Sequence, residues 1–190
     1  TRGRAYRPPR MTDRARGPAA AETEIAMTDT ISADWERRVA AAWASLDDRP
    51  EDEFVRLIGE LAAELPEDSA VGLFERACAW DSTGHSDRAV PLYRRALEIG
   101  LTGIRRRRAI IQLSSSLRNI GQAQESVALL TAERAAGSDE LDDAIAATLA
   151  LALVDVGRER EAVSVAVAAL APHLPRYQRS MANYARLLIA

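Results

Sequence analysis

Few residues in this chain are of a type that does covalent chemistry. Cys78 is the only cysteine, and His85 and His173 are the only histidines. A single cysteine can form neither an internal disulfide nor a thiolate metal cluster. The two histidines stand far apart without ligand-like neighbours, so no metal site is expected. The carboxylate pairs Asp142-Asp143 and Glu159/Glu161 fall at helix starts or on exposed helical faces, where acids ordinarily complement the helix dipole. The chain has no glycine-rich phosphate loop, no His-Glu-x-x-His and no nucleophile elbow. Cys78 lacks a neighbouring lysine or histidine to lower its pKa, and its expected role is that of a small packed hydrophobe. These residues describe a binding protein that is not an enzyme and needs no cofactor.

The densest charge is Arg105-Arg106-Arg107-Arg108. Such a run can grip phosphate or an acidic partner. Four consecutive helical residues point in four directions, however, and no aromatics are interleaved to stack bases. The run is read as a solvated face, and no nucleic acid is expected as a partner.

Composition narrows the class further. The 190 residues carry a formal net charge of -3, and all 25 basic residues are arginine. Acid and base are interspersed, so no strong field draws the chain to nucleic acid or anionic membrane. Hydrophobic residues at 47% allow a sizeable core, and charged residues at 28% suit a solvated surface. The most apolar stretch, from Ala144 to Val154, is too short to span a bilayer. Neither that stretch nor any N-terminal run reads as a membrane or secretory segment, and a cytoplasmic location is expected.

The elements that must position any site are helices. Residues 1–31 hold six arginines and three prolines without apolar periodicity, the composition of a disordered arm. The arm is set aside as an extension preceding Met27. From Ser32 onward, Trp35, Val39, Trp43 and Leu46 share one helical face. Phe54, Leu57, Ile58, Leu61 and Leu65 form a second stripe between Pro50 and Pro66. Together they predict an opening hairpin over 32–66.

The next hundred residues repeat. Gly84, Gly121 and Gly157 are offset in one register with Trp80/Leu117/Leu153, Ala77/Ser114/Ala150, Ala89/Ser126/Ala162 and Val90/Val127/Val163. Several columns in one register mean duplication. Each unit predicts a helix carrying large apolar residues, a glycine that ends it in the left-handed conformation, and a second helix with a small residue at its close approach. One such hairpin cannot cover its own apolar face, so neighbours must stack.

The order small residue, aromatic or leucine, glycine, alanine, aromatic, alanine, met at Ala77, Trp80, Gly84, Ala89, Tyr93 and Ala96, resembles the tetratricopeptide pattern. The wording of FERACAWDSTG, YRRALEIGL and IQLSSSLRNIG further resembles actinobacterial tetratricopeptide proteins of the group 5 type, over about residues 35–188. The resemblance implies an all-α, right-handed superhelix of stacked antiparallel helical hairpins and a binding role. Three repeats are expected over about 67–102, 103–138 and 139–175, with a capping helix over 176–190. Departures are visible. Arg76 stands in the column of Leu113 and Leu149, Glu133 stands where a small residue is usual, and Pro91 falls inside a second helix and should open a turn there.

In this architecture the first helix of each unit lines the concave groove. That places Asp81, Ser82, Arg118, Asn119 and Asp155 near its lower edge, with Cys78, Ser115 and Leu151 one turn earlier. Ala147, Leu151 and Val154 add an apolar flank. The expected partner is a protein or peptide segment held in the groove by a chain that is a monomer or weak homodimer. A small-peptide or metabolite sensor with a pocket in the same groove is the alternative. Arg118 can equally knit units together by bridging Asp81 and Asp155.

Overall fold

The structure, a computed structural model, describes residues 31–190. Among them are nine α-helices and no strand: α1 (Ala33–Trp43), α2 (Glu51–Ala62), α3 (Ala70–Ser82), α4 (Ser86–Ile99), α5 (Gly103–Asn119), α6 (Ala123–Ala136), α7 (Asp142–Asp155), α8 (Glu159–Leu170) and α9 (Gln178–Leu187). Leu46–Asp48 and Ala171–His173 add single 3₁₀ turns. The breaks fall where the proline and glycine positions placed them. The arm expected over residues 1–31 lies, but for Ile31, outside the described residues.

Repetition in sequence becomes repetition in backbone geometry at the turns inside the three hairpins. Gly84, Gly121 and Gly157 have φ of 80, 79 and 75°, the left-handed region that favours glycine. Each turn is closed by the same pair of bonds. His85 N donates to Trp80 O, Gln122 N to Leu117 O and Arg158 N to Leu153 O, all at 2.8 Å. The glycine N–H donates one residue further along, to Asp81, Arg118 and Val154, at 3.0 Å each time. This is the Schellman arrangement, which satisfies the last carbonyls of the first helix.

The core forms two clusters under these hairpins. One gathers Phe74, Ala77, Cys78, Ala89, Tyr93, Ala96, Leu113 and Leu117. The other gathers Leu130, Ile145, Leu149, Leu153, Ala162 and Val165. The small column residues let paired helices approach closely. In two of them a serine takes alanine's place, and the Ser114 and Ser126 hydroxyls are fully buried without a hydrogen-bond partner. Removing an unpaired buried hydroxyl recovers about 1 kcal/mol or more, and alanine is also the better helix former. Ser114→Ala and Ser126→Ala should therefore each raise the melting temperature by a few degrees. A fall in either variant would show that the hydroxyl is bonded after all.

Three positions vary the repeat pattern, and one expectation is corrected here. Trp80 is only half-buried, whereas Leu117 and Leu153 in the same column are 0% and 1% exposed, because Trp80 borders an open cleft against the start of α2. Arg76 is exposed and borders a cleft that Gly59, Ala62 and Leu65 also line. The helix α4 continues through Pro91, whose missing N–H leaves the Asp87 carbonyl without its helical donor on an exposed turn that solvent can reach.

The corrected expectation is the arginine run, which is not a solvated face. Arg105 grips Glu36 of α1 with two bonds of 2.9 and 2.6 Å and reaches the buried Glu75 of α3 at 3.3 Å. Trp43 Nε1 donates to that same Glu75 at 2.8 Å. Arg106 donates to Glu133 of α6 at 2.8 and 3.0 Å. Arg107, its side chain only 9% exposed, lies 3.0 Å from Asp139 and 2.5 Å from Asp142. The four directions of consecutive helical residues thus reach different neighbours. Glu133, the acid in a small-residue column, is 5% exposed and owes its place to this arginine pair. Arg108 alone meets no carboxylate among the described residues; its guanidinium lies 5.3 Å above the Phe74 ring.

Candidate functional site: the inner face of the stacked hairpins

The first helices α3, α5 and α7 lie against one another in turn, while the second helices α4, α6 and α8 make no comparable contact. A stack packed in this way curves with its first helices inside, and their free faces form one continuous inner surface. Its columns follow the register, so Cys78, Ser115 and Leu151 occupy one level and Asp81, Arg118 and Val154 the next.

At the α3 end this surface is closed. Cys78 is 1% exposed, with Sγ 3.2 Å from Gln112 Oε1 of α5. Burial pushes its thiol up to about 12, so it is an inert core residue and not part of an open groove. Asp81 is half-buried and accepts a 2.6 Å hydrogen bond from Ser116 Oγ. Burial raises its carboxyl above the usual range, and the Ser116 bond opposes that rise. Ser82 is exposed at the helix end.

The middle is knitted. Arg118 Nε donates to Asp155 Oδ2 at 2.6 Å, with the two side chains 19% and 37% exposed. Of the two acids within its expected reach, Arg118 takes the one on α7, since Asp81 is held by Ser116 instead. Asn119 Nδ2 donates to Ser86 Oγ at 3.0 Å, back towards the preceding unit. Ser115 is half-buried between these groups.

The α7 end is open and apolar. Leu151 and Val154 are 54% and 49% exposed, and Ala144 and Ala147 continue the same stripe towards the helix start. The structure therefore brings Ser115, Arg118, Leu151 and Asp155 onto one accessible surface, keeps Ser82 and Asn119 at its edge, and withdraws Cys78. Sequence reasoning missed Ser116 and Gln112 as the bridging partners. The signal for Ser116 was a hydroxyl in an otherwise alanine column, Ala79/Ser116/Ala152, all three fully buried. Gln112 continues the polar column of Glu75 and Thr148.

Among the described residues no group of three or more His, Cys, Asp or Glu is placed to hold a metal ion, and no helix is long and apolar enough to cross a membrane.

The family model described as "Tetratrico peptide repeat" matches residues 70–188. Among solved structures, the chain is similar to nearly identical TPR-like repeats of a kinesin light chain type from Podosopora anserina, with 21% identity over 82% of this chain and 92% of that one and a TM-score of 0.63. A single-substitution variant of the same repeats gives 20% identity, 82% and 91% coverage and the same TM-score. At that identity the likeness speaks for the fold alone. No curated protein matches the chain.

Proposed function

Since the chain belongs to the tetratrico peptide repeat family, whose members generally serve as protein–protein interaction modules, we propose that it holds a segment of another protein along the inner face of α5 and α7. The observation that carries this reading is the pair Leu151 and Val154, half-exposed side by side on a surface whose other end is sealed. Apolar side chains on the inside of a solenoid add nothing to its core, and covering them with a partner's apolar residues is favourable. The exposed residues of α7 leave this face open to solvent, as a scaffold allows. The clefts beside Arg76 and Trp80 are lined by none of these inner-face residues, which weighs against a sensor pocket in the groove.

Selection of displayed random dodecapeptides on the folded chain tests the reading. Leu151→Asp should weaken a selected peptide at least tenfold, the value of one buried leucine side chain. Val163→Asp, an equally exposed change on α8 (50%), should not. Equal loss in both variants, or none in Leu151→Asp, would remove α7 from the binding surface. The Arg118–Asp155 pair is partly exposed, and such pairs contribute about 0–1 kcal/mol. Arg118→Ala should therefore leave melting almost unchanged, and a loss of peptide affinity in that variant reports contact with the partner.

A further inference from the structure

The inner face carries one cation that meets no carboxylate among the described residues, Arg108, and a second, Arg118, whose ion pair leaves two donor nitrogens unengaged. Three arginines of the run on α5 are consumed by carboxylates, and the fourth, Arg108, is not. It is exposed, and its only partner among the described residues is the face of Phe74 on α3. A ring quadrupole holds a guanidinium in place but leaves its charge and its N–H donors available. Arg118, at the far end of the same helix, donates to Asp155 through Nε alone, so its two terminal nitrogens remain donors. The two arginines are ten residues apart, about 15 Å along the helix. Between them lie Ile111 and Ser115, both half-buried. Alongside runs the exposed stripe Ala144, Ala147, Leu151 and Val154 of α7.

Resting on the inner-face reading above, we infer that the segment bound there is acidic at two points, with two carboxylates about 15 Å apart flanking an aliphatic stretch. Arg108 takes one carboxylate, Arg118 the other, and Leu151 and Val154 cover the residues between. In an extended segment rising about 3.3 Å per residue, that separation is four to five positions. A guanidinium matches a carboxylate with paired N–H donors, which gives register as well as attraction. Nucleic acid fits this surface less well. Neither α5 nor α7 carries an aromatic ring on which a base could stack.

The test uses fluorescence polarisation of the full chain with two synthetic peptides. One has two glutamates five positions apart with leucine and valine between them; the other replaces both glutamates by glutamine. The glutamate peptide should bind at least tenfold more tightly at low salt, in line with charge-assisted bonds. Added salt should narrow that preference. Arg108→Gln should reduce it severalfold while leaving the melting curve in place, and Arg118→Gln should do the same. Equal affinity for the two peptides, no binding of the glutamate peptide, or a preference untouched by Arg108→Gln overturns the inference. Displacement of the glutamate peptide by an equimolar single-stranded oligonucleotide also overturns it, in favour of a phosphate ligand. In the equal-affinity case, Leu151→Asp separates the two readings: if it still abolishes binding, the inner-face reading stands without the charge assignment; if it changes nothing, both fall.

Discussion

Arg107→Ala is expected to destabilise the chain by about 2–3 kcal/mol, since the arginine is buried and hydrogen-bonded to a charged partner while Asp139 and Asp142 are partly exposed. For a chain of this size that lowers the melting temperature by roughly 5–10 °C. Arg107 is the most buried of the charged residues on α5, and its guanidinium sits among three carboxylates from α6, the following loop and α7. Its Nε is close enough to Asp139 for an ion pair but is not aligned for a hydrogen bond, so Asp142 is the stronger anchor. Alanine there leaves a cavity and leaves the buried Glu133 with Arg106 alone. Asp142 adds a dependence on pH. Hydrogen bonds from Ser138 and from the Asp139 backbone, with Arg107 nearby, hold its carboxyl below the usual range. A depressed carboxyl contributes stability that is present above its unfolded-state pKa and is lost as pH falls through the folded value. Acid should therefore narrow the gap between wild type and Arg107→Ala as Asp142 protonates. A melting temperature within a degree or two of wild type at neutral pH would mean that the arginine is dispensable and the acids around it are solvated.

At Tyr93 the ring and the hydroxyl should separate cleanly. Tyr93 is the largest fully buried side chain and stacks obliquely on Phe74 at 6.2 Å. Tyr93→Ala should cost about 3–5 kcal/mol, as large-to-small changes of buried aromatics do. The phenol oxygen lies near Cys78 and Asp81 without aligning to either as a hydrogen bond, and burial drives its ionisation far above the usual range. Tyr93→Phe should therefore be neutral or stabilising by up to about 1 kcal/mol. Chemical denaturation of both variants checks the pair. A phenylalanine variant weaker than wild type by more than about 1 kcal/mol would show that the hydroxyl is bonded, with Asp81 the first candidate.

The turn glycines and the alanine columns were legible because they answer to rules local to a few residues. A left-handed C-terminus wants glycine, and close-packed helices want a small side chain. Leu151 and Val154 were legible for the same reason, since register alone assigned them to the inner face. Arg118 was half legible. Its neighbours along the chain gave two acids within reach, but the choice of Asp155 depended on Ser116 satisfying Asp81 from the flank of α5. The arginine run was misread because its partners are distant. Glu36 is 69 positions from Arg105, and no periodicity within a unit can report a contact between units. Cys78 was placed on the groove by register and withdrawn from it by Gln112, a neighbour in space on the next helix.

The Arg105–Glu36 bridge has a consequence for how the array comes apart. A solenoid coupled only to nearest neighbours frays from its ends, one hairpin at a time. Here the start of α5 is tied to α1 across the whole of the first unit, with Glu75 of α3 and Trp43 enclosed in the same knot. The opening hairpin cannot peel away without exposing Glu75 and breaking its grip on Arg105. Amides of α1, α3 and the first turns of α5 should then exchange with solvent as a single cooperative block, and a force applied at the N-terminal end should meet one large release before any small ones.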